Sequence, residues 1–310
     1  MINRRNIRVK VMQTLYSYTA SMDTDKPLDP QKTLKQHFNH TRSLLVYTVH
    51  FLTEVARYAE KDAYRKSHKY IPTEKDLNVN TKLAGSNLLW QILDLNEFKI
   101  ARNNEKPERF MDEELVKKIY TQLVASQQYH HYINISQQSL QEDRKVFEYI
   151  FSELMLENEE FVSHIEEIFS NWGDDGDMIV QSISAFIRKP QPGIFEEIIT
   201  PDKEIFAKDL LRTVIDKEDY LLDFIKPKLK NWDPERIALL DMVLMKMGVA
   251  EFLYFDTIPP KVTINEYIDL AKEYSTAQSG HFVNGILDNI HKELVQEGRL
   301  NKKDFRKTGS

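Results

Sequence analysis

Between Ile237 and Phe255 the chain carries apolar residues on every side of a helix, and this stretch restricts the fold more than any other. Ile237, Leu240, Leu244 and Met247 lie along one side, while Leu239, Met242, Val243, Val249 and Leu253 occupy others. A helix without a polar face has to be wrapped by other helices or by lipid. Asp241, Lys246 and Glu251 interrupt the run, and charges at that density argue against a membrane span. The stretch therefore reads as the central helix of a bundle in a soluble protein. Asp241, Gly248 and Glu251 fall on one side of it. A carboxylate there costs several kcal/mol if left unpaired in a dry interior. Each must find an internal donor or mark an interface.

The flanking sequence supplies the helices that such a core needs. Upstream, Asp202 to Leu222 repeats Ile205, Leu210, Leu211, Val214, Leu221 and Leu222 at helical spacing. Asp233-Pro234-Glu235 offers a cap, a proline at the first helical position and an early acid, a start signal for the central helix. Downstream, Ile258-Pro259-Pro260 forces an extended turn. Thr263-x-x-Glu266 reads as a capping box opening a helix through Ile268, Ala271 and Tyr274. Ser279 reads as the cap of a last helix whose Phe282, Val283, Ile286, Leu287, Ile290 and Leu294 form one apolar face, with Gly285 admitting a close neighbour.

The rest of the chain is consistent with an all-α fold. Only nine glycines and eleven prolines interrupt 310 residues, too few for a turn-rich β protein. Helices are expected over Gln31–Ser67, Thr81–Asn103, Asp112–Tyr132, Leu140–Ser170 and Met178–Arg188. Asn171–Asp177 is expected to be a turn, and Lys189–Gly193 a firm break. There is no cysteine, which removes disulfides, thiolate metal sites and cysteine nucleophiles and fits a reducing cytoplasm. The basic N-terminus MINRRNIRVK lacks the apolar core of a signal peptide.

Charge is unevenly distributed. The net charge is −6, which argues against a protein that coats nucleic acid over its whole surface. Yet Met1 to Met22 contains Arg4, Arg5, Arg8 and Lys10 and no acidic residue, and the tail holds Arg299, Lys302, Lys303, Arg306 and Lys307 against Asp304. Asn3 can cap a helix to about Thr19 with Ile7, Val11, Leu15 and Tyr18 on one face. Arg4 and Arg8 fall on the same line as Val11 and Leu15. Cations in a first turn oppose the helix dipole by a few tenths of a kcal/mol each, a penalty that an anionic ligand reverses. A solvated, frayed terminus is the alternative.

Enzymatic readings find little support. The chain has no glycine-rich phosphate loop, no His-Glu-x-x-His and no Gly-x-Ser-x-Gly elbow. His37-x-x-His40 and His130-His131 lack an evident third ligand and read as solvated or packed side chains. The Asn171 turn fails as a calcium loop, because Gly173 and Ser182 stand where that loop needs carboxylates.

Two blocks then become recognisable. Asp256-Thr-Ile-Pro-Pro-Lys-Val-Thr-Ile-Asn-Glu-Tyr-Ile-Asp-Leu-Ala-Lys272 and Ser279-Gly-His-Phe-Val-Asn-Gly-Ile-Leu-Asp288 resemble the C-terminal signature of the NusB family. Phe206–Leu211, Ile237–Leu253, Arg4, Arg5, Arg8 and Gln13-Thr-Leu-Tyr16 are similar to its other helices. The likeness covers roughly 1–20 and 203–294.

The resemblance implies two small helical sub-bundles, no catalysis and no cofactor. It implies a transcription antitermination factor that binds boxA-type single-stranded RNA together with the ribosomal protein serving as NusE, within the transcription elongation complex for ribosomal RNA. Carried over by position, Arg4, Arg5, Arg8, Lys10 and Phe282 are expected at the RNA, and Asp241 at the NusE contact. Tyr16 is placed there as a stacking ring, with a core aromatic as the competing reading. Gln278 stands where the family often has an acid, so loop contacts to RNA are expected to differ. Residues 21–200 have no counterpart of comparable length in the family. The expected division is a helical region over 1–200, a NusB-like core over 201–298 and a basic tail over 299–310. A helical scaffold whose middle segment holds a protein partner is the competing reading.

Overall fold

The computed structural model describes residues 2–137, 139–229, 237–300 and 302. In chain order its helices are α1 (Arg4–Ser21), α2 (Pro30–Ser67), α3 (Glu74–Leu77), α4 (Asn87–Asp94), α5 (Asn96–Glu105), α6 (Glu113–Ala125), α7 (Gln127–Asn134) and α8 (Leu140–Tyr149). They continue with α9 (Glu159–Ile168), α10 (Trp172–Arg188), α11 (Gly193–Glu196), α12 (Pro201–Asp216), α13 (Glu218–Ile225), α14 (Leu239–Tyr254), α15 (Pro260–Tyr274) and α16 (Ser279–Gln296). Among the described residues there is no strand, so the fold is all-α as expected. No helix among them is long and apolar enough to cross a membrane.

The chain forms two compact units. Residues 38–198 make a middle unit, and the described residues of 2–37 and 199–310 make a terminal unit. A division at residue 200 separates α1 from α12–α16, whereas the structure groups them. Apolar side chains of α1 explain the grouping: Ile7, Val11 and Leu15 are buried where α1 packs against α12 and α14.

In the middle unit α2 runs unbroken and buries Leu44, Leu45, Val49, Phe51, Leu52 and Val55. Phe51 meets Phe161 edge-on at 4.8 Å between ring centroids, and Tyr47 meets Phe169 at 5.3 Å. Several helices are shorter than the periodicity suggests, because small polar residues cap a new helix in mid-run. Ser126 accepts from the Tyr129 amide and divides Asp112–Tyr132; Asn158 accepts from the Glu160 and Phe161 amides and divides Leu140–Ser170. Trp172–Asp177 is helical, contrary to the turn expected over Asn171–Asp177, and Asn171 holds the cap position. Asp174 and Asp175 lie in the first turn of α10, where carboxylates suit the helix dipole, and the Trp172 ring packs over Gly176.

In the terminal unit α14 takes the central place, packed against α1, α12, α13, α15 and α16. Its start differs from the expectation: Ile237 precedes the helix and Ala238 holds the cap position. The Asp233-Pro234-Glu235 signal lies outside the described residues, as do Lys303, Arg306 and Lys307 of the tail. The α15 start is also corrected. Pro259 holds the cap position and Pro260, with its preset φ, opens the helix, so Thr263 is interior and does not cap. Gly285 faces open space; the close approach is at Gly248, where an added Cβ would come within 2.8 Å of Leu287.

Candidate nucleic-acid interface

Asn3 caps α1 by accepting from the Asn6 amide at 2.8 Å. Because Arg8 sits on the line of Val11 and Leu15, it follows them inward and is 2 % exposed. Its Nε lies 2.7 Å from Glu251 Oε1 and its Nη2 3.1 Å from Oε2, a two-pronged ion pair across 243 positions of sequence. Glu251 is fully buried and also accepts from Thr263 Oγ1 at 3.0 Å and from the Tyr267 hydroxyl at 2.8 Å. The Arg8 guanidinium further lies over the Phe206 and Tyr267 rings. Burial works against its charge, but the hydrogen bonds and charge of Glu251 prevail and raise its pKa above the ordinary value. Burial and the Glu251 charge push the Tyr267 phenol up, so it stays a donor. Four donor atoms thus satisfy one carboxylate, and α1, α14 and α15 are tied at a single point.

This corrects the expected role of Arg8, whose charge is spent inside the fold. Lys10 is fully buried and is likewise not presented to a ligand. Arg5 is part-exposed and pairs with Glu273 at 2.6 Å, with Glu266 at 4.0 Å. An exposed pair of this kind is worth about 0–1 kcal/mol, so a phosphate can compete for it. Arg4 is exposed, its guanidinium 5.5 Å from the centre of the Phe206 ring. The positive end of α1 therefore reduces to Arg4 and a partly neutralised Arg5.

A groove of about 410 Å³ opens farther along α1. Met12, Gln13, Tyr16 and Ser17 of α1 form one wall, Leu239 and Leu240 at the start of α14 the floor, and Tyr274 and Ser275 at the end of α15 the other wall. Tyr16 is 45 % exposed, which suits a stacking surface better than a core aromatic. The turn after Ser275 is held by one hydroxyl. Ser279 Oγ donates to Asp241 Oδ2 at 2.8 Å, accepts from the Thr276 amide at 3.3 Å and touches the hydroxyls of Ser275 and Thr276. Ser279 therefore does not cap α16 as expected; it anchors the turn to α14. Asp241 is 5 % exposed and used internally, which corrects the expectation of a displayed partner contact. Gln278 projects from the same turn and Phe282 is half-buried one helical turn later. The sequence reads Leu239, Leu240 and Tyr274 as helix-packing positions and not as groove lining, since their meeting with Tyr16 depends on how three helices end together.

Among the described residues no group of three His, Cys, Asp or Glu side chains could hold a metal ion.

The model of the NusB family matches residues 182–292, a range that holds Asp241, Gln278 and Phe282 but not α1. Transcription antitermination protein NusB of Salinibacter ruber is 38% identical over 138 residues, 44% of this chain and 82% of that protein. The protein of the same name from Chloroherpeton thalassium is 41% identical over 120 residues, 37% of this chain and 56% of the relative. That of Desulfatibacillum aliphaticivorans is 38% identical over 112 residues, 36% of this chain and 78% of the relative. No solved structure matches the chain at a comparable level of significance.

Proposed function

This chain belongs to the NusB family, and on that premise we propose that it is a transcription antitermination factor that acts by binding and not by catalysis. Its ligand in this reading is a boxA-like single-stranded RNA, held together with the ribosomal protein that serves as NusE, in support of ribosomal RNA transcription. The observation that carries the reading is the exposed Tyr16 ring on an apolar groove, with Arg4 three turns back on the same helix. Unpaired bases can splay onto aromatic faces, while the sugar–phosphate chain is tracked by cations. Arg4, and Arg5 on release from Glu273, supply that charge. In this reading Gln278 and Phe282 continue the RNA path beyond Ser275. Asp241 contributes by fixing the 275–279 turn, on which the adjoining contacts to RNA and NusE depend. With so few free cations, affinity for RNA alone is modest and rises when NusE engages the same complex.

Tyr16→Ala is expected to weaken binding of a boxA-like RNA by roughly fivefold to a hundredfold, the loss of one stacked base worth ~1–3 kcal/mol, with the unfolding midpoint nearly unchanged. Fluorescence anisotropy on labelled RNA measures it. Equal affinity in the variant removes Tyr16 from the interface and with it the observation on which this reading rests.

A further inference from the structure

The middle unit contains a partly enclosed cavity of about 270 Å³ between α2, the end of α5 and the start of α6. His50, Glu54, Arg57 and Lys61 recur on α2 at spacings of three and four and so form one stripe along it. Arg102, Glu108, Met111, Glu113 and Val116 face that stripe. At the inner end His50 is 2 % exposed, and its Nδ1 is buried with no hydrogen-bond partner among the described residues. Burial holds the imidazole below its usual pKa, which favours the neutral form, and in the tautomer protonated at Nε2 the unpaired Nδ1 is an acceptor. Buried polar atoms are nearly always bonded, so an orphan lining a cavity points to a missing partner, in that tautomer a donor.

The charges around it are balanced but loosely matched. Arg57 Nη1 stands 3.4 Å from Glu54, and Lys61 Nζ stands 3.7 Å from Glu54 and 3.6 Å from Glu113. Charge-assisted hydrogen bonds close to about 2.7–2.9 Å, so Glu54 is under-served although its side chain is only 17% exposed. Arg102 and Glu108, by contrast, are closely paired with each other. A lone anion meets the Glu54 carboxylate at the inner end, and a lone cation meets Arg57 and Lys61. A ligand carrying both charges exchanges partners without changing the net charge. The cavity falls just below the ~300–1,000 Å³ of drug-sized sites, and Met111 and Val116 give it an apolar wall.

We propose that this cavity binds a small zwitterion of the α-amino-acid class with an aliphatic side chain, its ammonium on Glu54 and His50 and its carboxylate on Arg57 and Lys61. Binding here is a function of the middle unit, independent of the RNA groove. The test is calorimetric titration of the full chain with L-leucine, L-leucinamide and N-acetyl-L-leucine. Saturable binding of L-leucine is expected. Leucinamide lacks the carboxylate and N-acetyl-leucine lacks the ammonium, and each is expected to bind roughly tenfold or more weakly, the equivalent of one charged hydrogen bond. Glu54→Gln, and separately the more exposed Arg57→Gln, are expected to weaken L-leucine to the same extent while RNA affinity stays unchanged. No saturable binding of L-leucine to the wild-type chain overturns the proposal, as does equal binding of all three compounds or undiminished binding in both variants.

Discussion

Replacing Glu251 with alanine is expected to destabilise the terminal unit by about 3–5 kcal/mol, the range for breaking a buried ion pair on one side. The substitution leaves the Arg8 guanidinium, 2 % exposed, without its principal partner. It also strips an acceptor from the buried hydroxyls of Thr263 and Tyr267. Domains have only about 5–15 kcal/mol to lose, so the variant approaches the threshold for folding. Glu251→Gln keeps the shape and part of the hydrogen bonding and should cost less. The double variant Arg8→Met with Glu251→Leu removes both charges together and should recover the part of the loss that comes from the unpaired guanidinium, while the Thr263 and Tyr267 hydroxyls still lack their acceptor. Urea unfolding of the variants measures all of this. A loss below about 1 kcal/mol for Glu251→Ala means the pair is not what ties α1 to α14.

Gly248→Leu is expected to cost about 3 kcal/mol, at the upper end of the usual range for overpacking. A Cβ at residue 248 would lie 2.8 Å from Leu287 Cδ2 and 2.9 Å from Cδ1, with Tyr267 Cδ2 at 3.4 Å. The absent side chain is what lets α16 lie against α14 beside the Glu251 network, so a larger residue forces the helices apart. Gly248→Ala sets a smaller clash against a gain of about 1 kcal/mol in helix propensity and should be far milder. Leu287→Ala in the Gly248→Leu background returns space, so the double variant should lose less than the sum of the single losses. Thermal unfolding provides the comparison. Strict additivity would show that the two residues do not meet.

Much of this architecture can be read from the residues, but not the division of labour within α1. The Asn3 cap, the run of α1 and the central place of α14 follow from spacing and capping chemistry that act within a few residues. Arg8 shares a helical line with Val11 and Leu15, and that alignment already hints that it points inward. What turns the hint into an ion pair is Glu251, far along the chain, which no local pattern identifies. Asp241 shows the same limit, because its hydroxyl partner at Ser279 arrives only when α16 packs. Capping decided the helix lengths that periodicity overstated, at Ser126 and Asn158. The cavity around His50 is the least legible feature. Its α2 stripe repeats at helical spacing, but the cavity forms only where Arg102, Glu108 and Met111 arrive from separate elements.

The account turns on how the basic residues of α1 are shared out, with Arg8 held by Glu251 inside the fold and Arg4 free to meet a phosphate. The most direct test measures the affinity of boxA-like RNA over a range of salt concentration for the wild-type chain and Arg4→Ala. One lost phosphate contact should flatten the dependence of log affinity on log salt by about 0.7, with the unfolding curve unmoved. An identical salt dependence in the two proteins would contradict the account.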